Sequence, residues 1–275
     1  MRRRLLIKSV TKLLSMFLAY RTRMIIAFLF FSMTVSVALG QRKPIKSEEA
    51  CDAATYYVKG LEHYKLDRYK EAIEAFQEAT QLKSDYVLAY NGLGVASMEL
   101  GLYSDAAQAL EHAVRLAPSM AELHRNLGLA YRELGRFQEA VKAFQHAVDL
   151  KPDYAAAFSD LGAVYNDLRQ YKEAIGALKQ AIQLKPALST AYNNLGCSYA
   201  FMGHYKEAIN DYGQALRLEP DLDAAHFNLG LAQVVFGDKR AALEQYETLV
   251  RSNTELAHQL YQQIYRNKLL AVGTD

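Results

Sequence analysis

Tryptophan is absent from this chain, cysteine occurs twice and proline five times in 275 residues. Two cysteines cannot build a disulfide framework, so the fold must be held by packing. A strong excess of charge of one sign is also missing, with 32 basic and 30 acidic side chains. That average hides two populations. Residues 1–40 carry seven basic groups (Arg2, Arg3, Arg4, Lys8, Lys12, Arg21, Arg23) and no acidic one, which leaves 25 basic against 30 acidic residues in the remainder. A mildly acidic body argues against binding to a phosphate backbone as the main activity, so no nucleic-acid partner is expected.

Signatures of catalysis are missing too. No two-histidine metal motif, nucleophile elbow or phosphate loop following a strand occurs. The seven histidines are scattered. His112 and His146 lie one sequence period apart, and Gly92-Leu93-Gly94 falls inside a helical pattern. The expectation is therefore a non-enzyme with no catalytic residue, metal or cofactor.

What is present is a repeat. Gly60, Gly94, Gly128, Gly162, Gly196 and Gly230 stand 34 residues apart, and each is followed twelve residues later by alanine (Ala72, Ala106, Ala140, Ala174, Ala208, Ala242). Leucine precedes five of the glycines, with Lys59 in the first copy, and a ring sits four residues before each: Tyr56, Tyr90, His124, Phe158, Tyr192 and His226. Spacings of three and four place these groups on one helix face. A second helical stripe runs from Tyr69, Tyr103, Phe137, Tyr171 and Tyr205 to Phe76, Leu110, Phe144, Leu178, Tyr212 and Tyr246. Each copy thus holds two amphipathic helices, each about 20 Å long.

The punctuation agrees. Gly101, Gly135, Gly203 and Gly237 fall between the two helices, where a left-handed residue ends the first. Pro118, Pro152, Pro186 and Pro220 follow the second helix, which proline cannot continue. The repeated glycine inside the first helix costs about 1 kcal/mol against alanine, and close approach to the small alanines of the second helix is its expected reason. Four repeats separate Cys51 from Cys197, too far for a bridge that needs Cα atoms within about 7 Å.

The pattern of ring, Leu-Gly, Tyr, Ala, Phe or Tyr, Ala and Pro resembles the tetratricopeptide repeat (TPR) family. The third and fifth copies, HRNLGLAYRELGRFQEAVKAFQHAVDLKP and YNNLGCSYAFMGHYKEAINDYGQALRLEP, carry it most fully. The resemblance implies an all-α, right-handed superhelical solenoid of antiparallel helix pairs over residues 53–256. Ser252-Asn253-Thr254-Glu255 has the form of a capping box, and Leu256, Leu260, Tyr261 and Ile264 recur at helical spacing, so 255–270 reads as a C-terminal capping helix before a 271–275 tail.

Residues 24–40, MIIAFLFFSMTVSVALG, are uncharged and follow Arg21 and Arg23. They read as an export signal cleaved after Ala38-Leu39-Gly40 or as a single membrane anchor, with 41–52 as a linker. In either case the repeats are expected outside the cytoplasm, and 24–40 is the only expected membrane contact. The basic lead is long, and Met16 is an alternative start.

In TPR proteins the first helices line a concave groove. Carried over by resemblance, the groove residues three before the glycines include Asn91, Arg125 and Asn193, those two before include Asn126, Asp160, Asn194 and Asn228, and Arg132 lies four after. The series Asn126, Asp160, Asn194, Asn228 resembles the asparagine ladder in the TPR superhelix of the O-linked N-acetylglucosamine transferases. It reads either as a ladder that holds an extended peptide backbone or as a structural part of the repeat. Toward the C-terminus the groove turns apolar, with Phe201, Phe227, Val234 and Val235, which serve either as a ligand anchor or as the seat of the capping helix. The residues just after the glycines (Leu61, Val95, Leu129, Ala163, Cys197, Leu231) include no asparagine, which argues against the chaperone-tail clamp of some TPR domains. The expected function is a scaffold that binds a peptide or protein segment in the cell envelope. A self-associating structural component, dimeric through an end repeat, and an accessory subunit of an envelope enzyme are the alternatives.

Overall fold

The computed structural model describes residues 47–271, and among them thirteen α-helices and no strand occur. Two compact units result, one through Leu102 and one from Tyr103 onward. The first holds α1 (Ser47–Lys65), α2 (Tyr69–Leu82) and α3 (Val87–Glu99). The second begins with α4 (Tyr103–Leu116), the pair α5 (Ala121–Glu133) and α6 (Phe137–Leu150), and the pair α7 (Ala155–Asp167) and α8 (Tyr171–Leu184). It continues with α9 (Ser189–Phe201) and α10 (Tyr205–Leu218), then α11 (Asp223–Phe236) and α12 (Lys239–Ser252), and closes with α13 (Thr254–Ala271). The first helix starts at Ser47, inside the stretch expected to be a linker. Among the described residues no helix is long and apolar enough to cross a membrane. The apolar run 24–40, the alternative start at Met16 and the 272–275 end of the tail lie outside those residues.

Each repeat turns from its first to its second helix through one left-handed residue. Gly101, Gly135, Gly203 and Gly237 have φ of 72°, 71°, 79° and 97°. The first and fourth copies use Asp67 (φ 61°) and Arg169 (φ 60°) at the same position. A side chain there brings Cβ close to the following carbonyl, at a cost of about 1–2 kcal/mol.

The glycine within the first helix has a different reason from the expected one. A Cβ on Gly60 would lie 2.6 Å from Cε1 of Phe76, one on Gly128 2.7 Å from Cε1 of Phe144, and one on Gly196 2.6 Å from Cε1 of Tyr212. The neighbour is the large side chain sixteen residues on, not an alanine. Phe76, Phe144 and Leu178 are fully buried in this way, each contributing on the order of 1.5–3 kcal/mol of burial. In the first unit Phe76 also fills the space over Gly92 of the next repeat, where a Cβ would come within 2.7 Å of its ring.

The sixth repeat breaks the rule instructively. Gly230 is covered not by Tyr246 but by Leu260 of α13, whose methyl would lie 2.5 Å from an added Cβ. Leu260, Ile264 and Ala257 form a buried cluster with Ala242 and Leu249, against which Phe227, Leu231 and Val234 pack. The C-terminal helix therefore does cap the last repeat. Its start differs from the capping box expected. Asn253, not Ser252, caps it by accepting from Leu256 N at 3.2 Å, while the Ser252 hydroxyl donates to Asp223 of α11. An amide oxygen at Asn253 reaches the third amide of a helix that begins at Thr254, which leaves Ser252 free for a tertiary bond.

Two buried polar groups depart from the apolar pattern. Asp211 occupies the position held by Ala75, Ala109, Ala143 and Ala177 elsewhere and is 8% exposed. Burial pushes its carboxyl up to about 6, against the opposing pull of Asn210 and Lys179. Tyr57 lies inside the first unit, its ring 5.8 Å from Phe76 and 5.3 Å from Tyr86, and its buried hydroxyl has no hydrogen-bond partner among the described residues. Burial, with Tyr86 nearby, raises the pKa of that phenol.

Candidate functional site

The first helices α5, α7, α9 and α11 stand side by side in the second unit, and their polar residues meet in a regular way. Arg125 Nε donates to Asp160 Oδ2 at 2.6 Å, and Arg132 Nε donates to Asp167 Oδ2 at 2.6 Å. Asn228 Nδ2 donates to Asn193 Oδ1 at 3.1 Å. In the first unit Tyr64 Oη donates to Glu99 Oε1 at 2.9 Å. Each pair is 35 residues apart, one period plus one residue. A residue three before the glycine thus meets the residue two before the next glycine, and four after meets five after. Arg125 and Arg132 lie seven apart, as do Asp160 and Asp167, so the two ion pairs form parallel rungs between α5 and α7.

These contacts redistribute the residues the sequence marked as a groove ladder. Asp160 is held by Arg125, and Asn228 by Asn193, so these members join repeat to repeat. Burial raises the Asp160 carboxyl above its ordinary value, opposed by Arg125 and Arg132. On Arg125 burial acts downward, and the attraction of Asp160 together with Tyr154 outweighs it. Arg132 is balanced likewise between burial and Asp167. Asn91 is 2% exposed and sits inside the first unit rather than on a binding face. Asn126 and Asn194 are half-buried. Asn194 also serves through its backbone, its carbonyl accepting from Asn166 Nδ2 at 2.9 Å and from the Ser198 hydroxyl at 3.1 Å.

Beside these rungs lies a recess of about 480 Å³. Ala163, Asn166, Asn194 and Cys197 line it together with the Arg132–Asp167 pair. Part of the lining is aromatic. Tyr171 and Phe201 stack with ring centroids 5.3 Å apart and planes 15° from parallel, and Phe201 is 65% exposed. Arg169 completes the lining. The Cys197 thiol is engaged, accepting from Tyr212 Oη and Asn228 Nδ2 at 3.5 Å, and burial raises its pKa. Among the described residues no three His, Cys, Asp or Glu side chains converge as a metal cluster.

The apolar end of the expected groove is divided. Phe227 and Val234 pack against the cluster under α13, whereas Phe201 and Val235 stay exposed, the latter at 61%. Phe227, Leu231, Val234 and Val235 meet Gln259, Gln262 and Gln263 of α13 around a second recess of about 360 Å³. Sequence reading missed Arg169 and took Tyr171 only for a core stripe. The signal for Arg169 was present, because it breaks the glycine series at the turn. Nothing local in the sequence pairs Tyr171 with Phe201.

Comparison with known proteins agrees with this architecture. Models of the tetratricopeptide repeat match residues 57–121 and 119–187, and a TPR repeat model matches 198–234. No curated protein matches the chain in sequence. Among solved structures, the MamA protein is 30% identical over 62% of this chain and 92% of its own, with a TM-score of 0.55. MamA from Desulfovibrio magneticus RS-1 is 25% identical over 62% and 96%, with a TM-score of 0.53. YrrB, described as a TPR protein with an unusual peptide-binding site, is 23% identical over 65% and 91%, with a TM-score of 0.53, a likeness of fold. Repeat period, helix pairing and these matches converge: the chain belongs to the tetratricopeptide repeat family.

Proposed function

We propose that this protein is a non-enzymatic scaffold that binds a peptide or protein segment along its first-helix face. The observation that carries the reading is the recess beside the Arg132–Asp167 rung. An exposed, stacked aromatic pair that lines a recess together with a few polar groups is the mixed apolar and polar surface that binding sites use. Tetratricopeptide repeats serve this role by presenting extended surfaces instead of reaction centres. The sequence of the basic lead and the apolar run 24–40 supports a location of the repeats outside the cytoplasm, exported or held by a single anchor.

Panning a random peptide display library against the full chain tests the reading. Selected peptides should lose binding to Phe201→Ser while circular dichroism stays unchanged. Peptides that bind the unaltered chain, Phe201→Ser and Asn194→Ala alike would place the binding surface elsewhere. Fractionation of cells that produce the full chain, with protease applied from outside the inner membrane, tests location; repeats protected together with cytoplasmic markers would refute export.

A second reading rests on Val235 and Phe236, exposed at 61% and 59% near the end of α11. These side chains favour self-association through the C-terminal repeat. Analytical ultracentrifugation across a concentration series should then show a dimer that Val235→Ser/Phe236→Ser abolishes.

A further inference from the structure

Three charged side chains line the recess: Arg132, Asp167 and Arg169. The first two neutralise each other across 2.6 Å. Arg169 has no ion pair or side-chain hydrogen bond among the described residues, so the recess carries one uncompensated positive charge. Its position is unusual. The same turn residue is glycine in four other repeats, and the left-handed backbone there disfavours any side chain.

The neighbouring position changes in a complementary way. Five residues after the repeat glycine, the second, third and fourth copies carry Glu99, Glu133 and Asp167, whereas the fifth carries Phe201. An acidic group gives way to an aromatic one where Arg169 faces the recess. The result is a cation beside an open aromatic stack, while the carboxylate that lines the recess, Asp167, is paired with Arg132.

Resting on the peptide-binding reading above, we infer that this recess selects a segment in which an aromatic side chain is closely followed by a carboxylate. The partner ring lies against the Tyr171–Phe201 stack, and its carboxylate reaches the Arg169 guanidinium. Offset stacking favours aromatic over aliphatic side chains there. The guanidinium takes a carboxylate through paired, charge-assisted bonds. A volume near 480 Å³ lies within the range of sites that enclose compact ligands, enough for these two side chains and not for a folded domain.

The probes are three fluorescein-labelled peptides in one glycine–serine frame, titrated against the full chain by fluorescence polarisation. One carries a phenylalanine followed by two aspartates, the second replaces the aspartates by lysines, and the third replaces the phenylalanine by serine. The first should bind about tenfold or more tightly than either control, and R169G should weaken it by about tenfold. R169G installs the residue that four other repeats use at this turn, so it keeps the backbone and its thermal midpoint should not fall. Equal affinity for the lysine peptide, or an unchanged affinity in R169G, would overturn the inference. If panned peptides depend on Phe201 but not on Arg169, this inference fails and the scaffold reading stands. If no peptide depends on either residue, both fail.

Discussion

Arg125 and Asp160 meet across 2.6 Å although 35 residues separate them, and the same interval recurs in Arg132–Asp167, Asn193–Asn228 and Tyr64–Glu99. The side chains are 23% and 20% exposed, so solvent only partly screens the pair. A ligand can compete for Arg125 only by breaking a contact that joins two repeats.

Removing one partner of that pair should be costly. Asp160→Ala leaves a largely buried guanidinium with only Tyr154 nearby and should destabilise the protein by about 1–3 kcal/mol. Arg125→Ala/Asp160→Ala should recover part of that loss. A double-mutant cycle from urea unfolding measures the coupling, and additive losses would mean that the rung contributes nothing.

The glycines inside helices divide into two kinds by what surrounds them. Gly128→Ala drives a methyl into the Phe144 ring and should destabilise by roughly 1–2 kcal/mol even after the gain in helix propensity. Gly176→Ala, in α8 with nothing within 4 Å of the added Cβ, should stabilise by up to about 1 kcal/mol. Thermal melts of the two variants should therefore shift in opposite directions.

Asp211 makes stability depend on pH. Its folded carboxyl titrates at about 6 and the unfolded one near the ordinary value of 3.8, so between those values the folded state holds the extra proton. Rising pH across that window removes stability, and the penalty is complete above about pH 6. Asp211→Asn should raise stability by roughly 1–3 kcal/mol at pH 7.5 and change it little at pH 3.5. Urea midpoints at the two pH values check this, and an equal shift at both would point to packing instead of charge.

Tyr57 presents a hydroxyl that burial strips of water without returning a partner among the described residues. Tyr57→Phe keeps the ring between Phe76 and Tyr86 and should stabilise the protein by about 1 kcal/mol. A fall in the thermal midpoint would show that the hydroxyl is satisfied in solution.

Helix positions, the left-handed turns at Gly101, Gly135, Gly203 and Gly237, and the prolines after the second helices were all legible in the chain, because each depends on a few neighbouring residues. The reason for the repeat glycines was not. From sequence their partners looked like the alanines, and only the packed pair shows a ring sixteen residues on. The capping helix was legible as an amphipathic run. That Leu260 would take the seat left by Tyr246 was not, because nothing in a 34-residue period reaches across to a helix beyond it.

The candidate site divides along the same line. Offsets from the repeat glycines, read through the resemblance to the family, assigned Asn193, Asn228, Arg125 and Asp160 to one helix face and marked the polar-to-apolar change at Phe201. Local chemistry can do that, because a helix face repeats every three to four residues. Whether a polar residue on that face meets a ligand or the next repeat depends on how neighbouring first helices are offset when they stack. That offset brings residue i to residue i+35, turns Asp160 and Asn228, half of the apparent ladder, into joints between repeats, and leaves the recess lined by Arg169, Tyr171 and Phe201. Sequence determined the repeat and its faces; stacking decided which side chains remained for a partner, because those contacts exist only between repeats.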